Sequence, residues 1–404
     1  MPELRVLMVA DVSPLEVHGG AARVLREQSR RLRGLGHRVE VLCRRPGPKA
    51  PATADMDGVA VSHYDVNRSH PVRFFVSSIF GARRAYSTSL IHREWDAVLF
   101  YQPLSAIGLR RLLPSATPAV YVFLSPAAAE YRIRASYADR LHPRLGVGVA
   151  CALLRWAEGV SLRSARRVIV LSDFSRRQLL GLHGSLAVPV LTVPGGADLA
   201  RFRPAADRVA VRRGLGIPSD GLLLLTVRDL EPRMGLDALL QALALVRKDV
   251  AVRLVMGGEG RLRAELEALV NTLGLQDIVS FAGLIPEADL PTYYQAADCF
   301  VLPTRALEGF GLVTVEALAC GTPVLGTPVG ATPEILAPLA PDLLTADASA
   351  EAIADGLRRV APLARDEGFR AGCRAHAERH YGWPSAVARL EALLLDLVAE
   401  ARSS

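Results

Sequence analysis

The 404-residue chain is poor in cysteine and aromatics and has no long apolar run. Cys43, Cys151, Cys299, Cys320 and Cys373 lie far apart, with no CxxC pair and no histidine pairing nearby. They encode neither a disulfide framework nor a zinc site, and their expected role is that of small core residues. The apolar stretches 145–154 and 222–227 are broken by Arg155 and Arg228, well short of the roughly 18 residues a membrane-spanning helix needs. The opening MPELRVLMVADV has no basic n-region and no cleavage site, and Asp11 ends its apolar run, which predicts a cytoplasmic protein without a secretory leader. Hydrophobic residues at 50% against 22% charged exclude disorder, and the spread of Gly 33 and Pro 26 along the chain excludes collagen-like and low-complexity readings.

Charge is unevenly shared. Residues 1–200 hold 27 Lys+Arg against 15 Asp+Glu, a surplus of +12, whereas residues 201–404 hold 21 against 26, or −5. The first half is therefore expected to meet something anionic, a phosphate or a membrane surface. Nucleic acid is not an expected partner, because the basic residues have few interleaved aromatics and no nucleic-acid-binding signature appears.

The length predicts two domains, and the pattern agrees. Short β-branched runs at 4–10, 38–43, 59–63, 97–101, 119–123, 168–171 and 190–193 alternate with helical stretches such as 21–35. This predicts a doubly wound parallel sheet. Pro194-Gly195-Gly196 and the residues to Pro204 read as a linker. The alternation restarts with strands at 222–227, 252–256, 278–281, 299–302 and 323–325 and helices at 236–246, 262–273 and 313–320. The expected domains are 1–196 and 197–383, and a last helix, 384–402, with an apolar stripe of Val387, Leu390, Leu393, Leu394 and Leu397, is expected to pack back onto the first domain. The predicted fold class is α/β, two doubly wound Rossmann-like domains facing a central cleft, where parallel sheets bind ligands beyond the carboxyl ends of their strands.

Two strand-to-helix loops carry candidate chemistry. The first, from Asp11 to Arg23, contains His18-Gly19-Gly20; paired glycines let backbone N–H groups approach a phosphate, although the spacing is not GxGxxG and plain turn chemistry explains it as well. The second runs from Pro303 to Val324. There Glu308 precedes a Gly-Phe-Gly turn at Gly309-Phe310-Gly311, a helix follows, and Glu316 lies eight residues on. That layout suits a sugar nucleotide, with Glu308 facing sugar hydroxyls, the N–H groups of Gly311 and Leu312 taking a phosphate, and Glu316 accepting ribose hydroxyls. The plain alternative makes Glu308 a helix-start carboxylate and Glu316 a solvated face residue.

The Glu308–Glu316 segment resembles the Glu-x7-Glu motif of retaining GT-B glycosyltransferases, specifically glycosyltransferase family 4. The likeness covers almost the whole chain: His18-Gly19-Gly20 with Arg23, Gly36-His37-Arg38, Leu171-Ser172-Asp173-Phe174-Ser175, Pro194-Gly195-Gly196-Ala197-Asp198, Gly257-Gly258-Glu259-Gly260, Phe281-Ala282-Gly283 and Thr327-Pro328-Val329-Gly330 follow the family's order. The resemblance implies transfer of a sugar from a nucleotide-diphosphate-sugar donor to an acceptor of unknown identity, with retention of anomeric configuration and no metal or other cofactor. It assigns the acceptor to the first domain and the donor to the second. The implied catalytic residue is Glu308, and the implied donor-binding residues are Gly19, Gly20, Arg228, Arg233, Phe310, Gly311, Leu312 and Glu316.

Three positions depart from the family pattern. The family carries Gly-Arg-Leu and then Lys-Gly after the first strand of the second domain, where this chain reads Arg228-Asp229-Leu230 and Met234-Gly235. Leu124 stands where many members have a histidine, with Glu130 a candidate substitute. A carboxylate 4 Å from a phosphate is repelled by roughly 4 kcal/mol at an effective dielectric near 20. Either Asp229 points away while Arg228 or Arg233 supplies the charge, or the chain is a lapsed transferase acting as a partner or binding protein. A nucleotide-sugar epimerase shares the two-domain plan, but Glu308 and its turn argue against it. His63, His70, His92, His142 and His183 follow no metal-ligand spacing and are expected in structural or surface roles. The aromatic and arginine mixture of 70–84, in the basic half, suggests an interfacial helix in peripheral membrane contact or an acceptor loop, with buried packing of the aromatics as the plain alternative.

Overall fold

A computed structural model describes residues 2–16, 19–136, 144–218 and 220–403. His18 and His142 lie outside the described residues. The chain divides into two units, residues 1–194 with 384–404, and residues 195–383. Each unit is built around one sheet.

The first unit contains β1 (Arg5–Ala10), β2 (Arg38–Arg44), β3 (Thr53–Met56), β4 (Val59–Tyr64), β5 (Ala97–Phe100), β6 (Ala119–Phe123), β7 (Arg167–Val170) and β8 (Val190–Thr192). They lie in the order β3-β4-β2-β1-β5-β6-β7-β8. Neighbours are parallel except β3 and β4, which form an antiparallel hairpin through Asp57 and Gly58. The periodicity had no strand at 53–56; four residues carry too short an alternation, and the hairpin is set by the Asp-Gly turn. Every residue of β5 is buried, as expected for a parallel strand covered on both faces.

The second unit contains β9 (Leu222–Val227), β10 (Val252–Gly257), β11 (Val279–Gly283), β12 (Cys299–Leu302) and β13 (Val324–Gly326), all parallel, in the order β11-β10-β9-β12-β13. The chain leaves β9 toward one edge of this sheet and later returns to β12 on β9's other side. The carboxyl ends of β9 and β12 therefore flank a topological switch point, where a crevice opens.

All five cysteines are buried and free. Burial pushes the thiols of Cys43, Cys299, Cys320 and Cys373 up to about 12, so they stay protonated and pack as small apolar groups. No described helix is long and apolar enough to cross a membrane.

The segment read as a linker is pinned. Ala197 pairs with Gly382, and its N–H donates to the Tyr381 carbonyl at 2.7 Å. The last helix, Trp383–Ser403, belongs to the first unit from residue 384 onward. Its apolar stripe buries Val387, Leu390, Leu394 and Leu397, and polar contacts fix its register. Glu400 accepts from Arg167 at 2.7 Å, and Arg402 donates to Asp96 at 3.0 Å. The buried anchor is His37. Its Nδ1 accepts from the Leu4 N–H at 3.2 Å, which leaves the proton on Nε2 to be donated to Glu391 at 2.9 Å. Glu391→Ala should therefore orphan a buried N–H and cost about 1–3 kcal/mol in urea unfolding, with Glu391→Gln keeping most of the stability. Equal midpoints for Glu391→Ala and the unmodified chain would contradict this account of the helix.

Candidate active site

At the switch point of the second unit, the loop after β9 starts at Arg228 and the loop after β12 leads to Glu308. These two side chains meet. Arg228 Nη2 lies 2.6 Å from Glu308 Oε2, and both side chains are about nine-tenths buried, with 6% and 10% of their surface exposed. Thr304 Oγ1 donates to the same carboxylate oxygen at 3.1 Å. Met234 brings its Sδ to 3.0 Å from Arg228 Nη2.

Close backbone approach holds both partners. Gly258 has φ +122°, and a Cβ there would fall 1.8 Å from the Arg228 carbonyl oxygen. Gly330 has φ +68°, and a Cβ there would fall 2.1 Å from the Glu308 carbonyl oxygen, which accepts from the Ala331 N–H at 2.9 Å. Only glycine fits either position without moving one member of the pair.

The pair is incompletely satisfied. Among the described residues no group hydrogen-bonds Glu308 Oε1, and Arg228 Nη1 is buried without a partner. Thr314 Oγ1, in the first turn of the helix Leu312–Ala319, is likewise buried and unpartnered. Gly311 caps that helix at φ +87°, and the first N–H groups that follow have no intrahelical acceptor. A buried donor left unmade costs about 1–3 kcal/mol, which a ligand returns by supplying the acceptor.

The remaining sequence candidates fall into distinct positions. Arg233 Nη1 donates to the Leu307 carbonyl at 3.2 Å, bracing a residue held at φ +57° just before Glu308. Asp229 is exposed, and among the described residues it forms no ion pair. The Phe310 ring packs edge-on to Tyr381, with centroids 5.9 Å apart, and lies against Gly195. Its ring is therefore committed to packing. Glu316 is 1% exposed, with Oε2 3.4 Å from the Tyr294 hydroxyl, so the solvated-face alternative does not hold.

In the first unit, Gly19 and Gly20 open the helix Gly19–Gly34 and are exposed, with Gly19 at φ +80°. The β1 and β5 ends flank this unit's own switch point, and here the groups are paired. Asp11 Oδ1 accepts from Tyr64 at 2.6 Å and from the Ser105 N–H at 3.2 Å, while the Asp11 N–H donates to Gln102 at 2.6 Å. Burial pushes the Asp11 carboxyl above its usual range. Leu124 is half-buried after β6, and Ser125 donates to Glu130, which makes Glu130 a helix-start acceptor.

The described histidines are structural or exposed. His183 pairs with buried Glu158 at 2.8 Å, His63 meets the Pro51 carbonyl at 2.7 Å, His70 caps the helix Pro71–Ser89, and His92 is exposed. Among the described residues no group of three potential metal ligands occurs.

Sequence reasoning gave no role to Thr304, Gly258, Thr314 or Gly330. Gly258 and Gly330 stand in quoted motifs, but their close approaches are between residues about 20 to 30 positions apart and leave no local pattern.

Residues 19–196 match the glycosyl transferase 4-like domain, and residues 207–374 match glycosyl transferases group 1. A D-inositol 3-phosphate glycosyltransferase of Geodermatophilus obscurus is 30% identical over 394 residues, covering 93% of this chain and 84% of the relative. One from Catenulispora acidiphila is 29% identical over 93% of this chain and 90% of its own length. A third, from Saccharomonospora viridis, is 37% identical over a shorter stretch, 59% of this chain, which spans only 57% of that relative. Two similar relatives from Kineococcus radiotolerans and Actinosynnema mirum are spanned over 41% and 49% of their length, so the chain spans about half of these. Among solved structures, sucrose-phosphate synthase from Thermosynechococcus elongatus superposes with TM-score 0.83 at 23% identity, covering 98% of this chain and 100% of that one. Anabaena HepE in complex with UDP gives 0.72 at 19% identity, covering 97% and 100%. With both halves matched in order and a relative aligned over nearly its whole length, the chain belongs to glycosyltransferase family 4, the glycosyl transferases group 1, with the GT-B fold.

Proposed function

We propose that the protein transfers a sugar from a nucleotide-diphosphate-sugar donor to a hydroxyl acceptor with retention at the anomeric carbon. The observation that carries this reading is the half-satisfied Arg228–Glu308 pair. It offers one free acceptor, Oε1, beside one buried free donor, Nη1. A ligand that completes both must present a hydroxyl donor next to an anionic oxygen, as a sugar phosphate does.

In this reading Glu308 orients the donor sugar through Oε1, and Arg228 takes a diphosphate oxygen. The N–H groups at Gly311 and Leu312 take another oxygen, and Glu316 takes the ribose hydroxyls. As the anomeric carbon leaves the diphosphate oxygen and bonds the acceptor oxygen on the same face, the acceptor proton passes to the departing diphosphate. Positive charge and helix-end N–H groups then lower the barrier by stabilising that leaving group. Acceptor recognition is proposed for the first unit. No metal is required by this chemistry.

Two of the three departures from the family pattern, Asp229 and Met234, are compatible with an active site. Asp229 is exposed and not buried with the pair, and the Arg228 guanidinium places a cation beside Met234. The cation has been relocated.

Two expected outcomes follow from the pair. Glu308→Gln keeps a hydrogen-bonding side chain against Arg228 and should reduce turnover roughly 100-fold or more with nucleotide binding retained; undiminished turnover removes Glu308 from the reaction. Glu308→Ala is the poorer test, since stranding a buried guanidinium costs about 3–5 kcal/mol of stability. Arg228→Gln, which keeps a hydrogen-bond donor against the buried Glu308 carboxylate while removing the positive charge, should weaken calorimetric binding of the preferred diphosphate among UDP, GDP, ADP and TDP by about tenfold or more, as expected for a charge-assisted hydrogen bond. Met234→Lys in that background should restore part of it. Unchanged affinity in Arg228→Gln would refute the relocated cation.

A further inference from the structure

The first unit carries an exposed apolar surface that sugar transfer does not explain. On the helix Pro71–Ser89, Val72, Val76 and Phe80 are 62%, 46% and 62% exposed. On the helix Arg144–Ser164, Val149, Leu153 and Trp156 are 54%, 43% and 54% exposed. Their spacings, i, i+4, i+8 and i, i+4, i+7, put each trio on one helical stripe. The two helices flank the short helix Pro103–Leu109. A Cβ at Gly108 would fall 2.5 Å from the Ile79 carbonyl of the first, and Ser161 of the second donates to the Pro103 carbonyl at 3.4 Å. Both stripes therefore belong to the same face of the unit.

The plain alternative raised for 70–84, buried aromatics, fits Phe74 and Phe75 only in part, since both are half-buried, and fails for Phe80. The same stripe carries charge. On a helical wheel Arg83 falls between Val72 and Val76, and Arg73 and Arg84 fall beside Phe80. All three arginines are exposed, and none has an ion-pair partner among the described residues. Arg163, also exposed, stands on the second stripe.

We infer that this two-helix face docks on an anionic lipid surface, with the six apolar side chains entering the interfacial region and the arginines meeting lipid phosphates. Charge complementarity selects this occupant. An apolar protein partner would leave the arginines uncompensated, and a second copy of the chain, related by two-fold symmetry, would set them against their own images. Interfacial helices combine this apolar stripe with basic residues, and attraction to anionic lipid adds to burial. The inference is independent of the donor chemistry in the second unit.

The chain carries its own reporter. Of its three tryptophans, Trp95 and Trp383 are buried at 7% and 1% exposure, so a change in the polarity around Trp156 dominates any shift in emission. The full chain is mixed with phosphatidylcholine vesicles containing phosphatidylglycerol, and with pure phosphatidylcholine, at low salt, where the Debye length is about 30 Å, and at high salt, where it is about 3 Å. The expected result is co-sedimentation and a blue shift with the anionic vesicles at low salt only. Phe80→Ser combined with Leu153→Ser should cut partitioning by about tenfold or more, removing apolar contact from both stripes. Arg83→Ser combined with Arg84→Ser should cut it roughly 25-fold, at about fivefold per arginine. No partitioning, or partitioning that neither double variant reduces, overturns the proposal. A concentration-dependent dimer in sedimentation velocity that Phe80→Ser with Leu153→Ser abolishes would also overturn it, assigning the face to a second copy. Calorimetric nucleotide binding on the same samples reports the donor site separately, so failure of one reading is distinguishable from failure of the other.

Discussion

The buried ion pair between Arg228 and Glu308 is the constraint around which the second unit is arranged. Taking a guanidinium and a carboxylate out of water costs several kcal/mol per ion, repaid only when their geometry is good and their remaining hydrogen bonds are made. The unit meets the first condition with short contacts and rigid supports. The backbone behind Arg228 is fixed by Gly258, and that behind Glu308 by Gly330 and Ala331. The second condition is met only in part, since Glu308 Oε1 and Arg228 Nη1 are left without partners among the described residues. A site that is rigid yet unfinished has stability to gain from a ligand with the complementary groups.

The parallel sheet explains why these residues meet. With strand order β11-β10-β9-β12-β13, the loops after β9 and β12 leave neighbouring strands in different directions, and Arg228, directly after β9, meets Glu308 from the loop after β12. Arg233 then serves the same loop indirectly, by bracing Leu307. Arg228 and Met234 share one small volume, so a charge can be supplied from either side of it.

The first unit uses the same architecture to different ends. Its switch point is closed by hydrogen bonds among Asp11, Tyr64, Gln102 and Ser105, whereas its outer face leaves apolar side chains and arginines uncovered. Exposed stripes of that kind gain nothing for folding, because their burial would need a partner. The helix Trp383–Ser403 shows the contrast, since its apolar stripe is buried and its polar residues Glu391, Glu400 and Arg402 are all paired.

The alternation of short apolar runs with amphipathic stretches determined two doubly wound sheets, the break near Pro194 and the returning last helix, because strand and helix periods are local properties of the chain. Glu308, Gly311 and Glu316 could be singled out because all three lie in one strand-to-helix segment, although their roles came from the resemblance to the Glu-x7-Glu motif and not from the spacing itself. The roles of Arg228, Asp229 and Met234 were left open by the sequence. Whether Arg228 faces a carboxylate 80 positions away, and whether Asp229 faces water, follows from how β9 and β12 pair and not from any spacing along the chain. Burial of Glu316 and the uncovered stripes on two separate helices were decided at the same level. A side chain's charge is written in the sequence, but its partner and its dielectric surroundings are set only when distant segments pack.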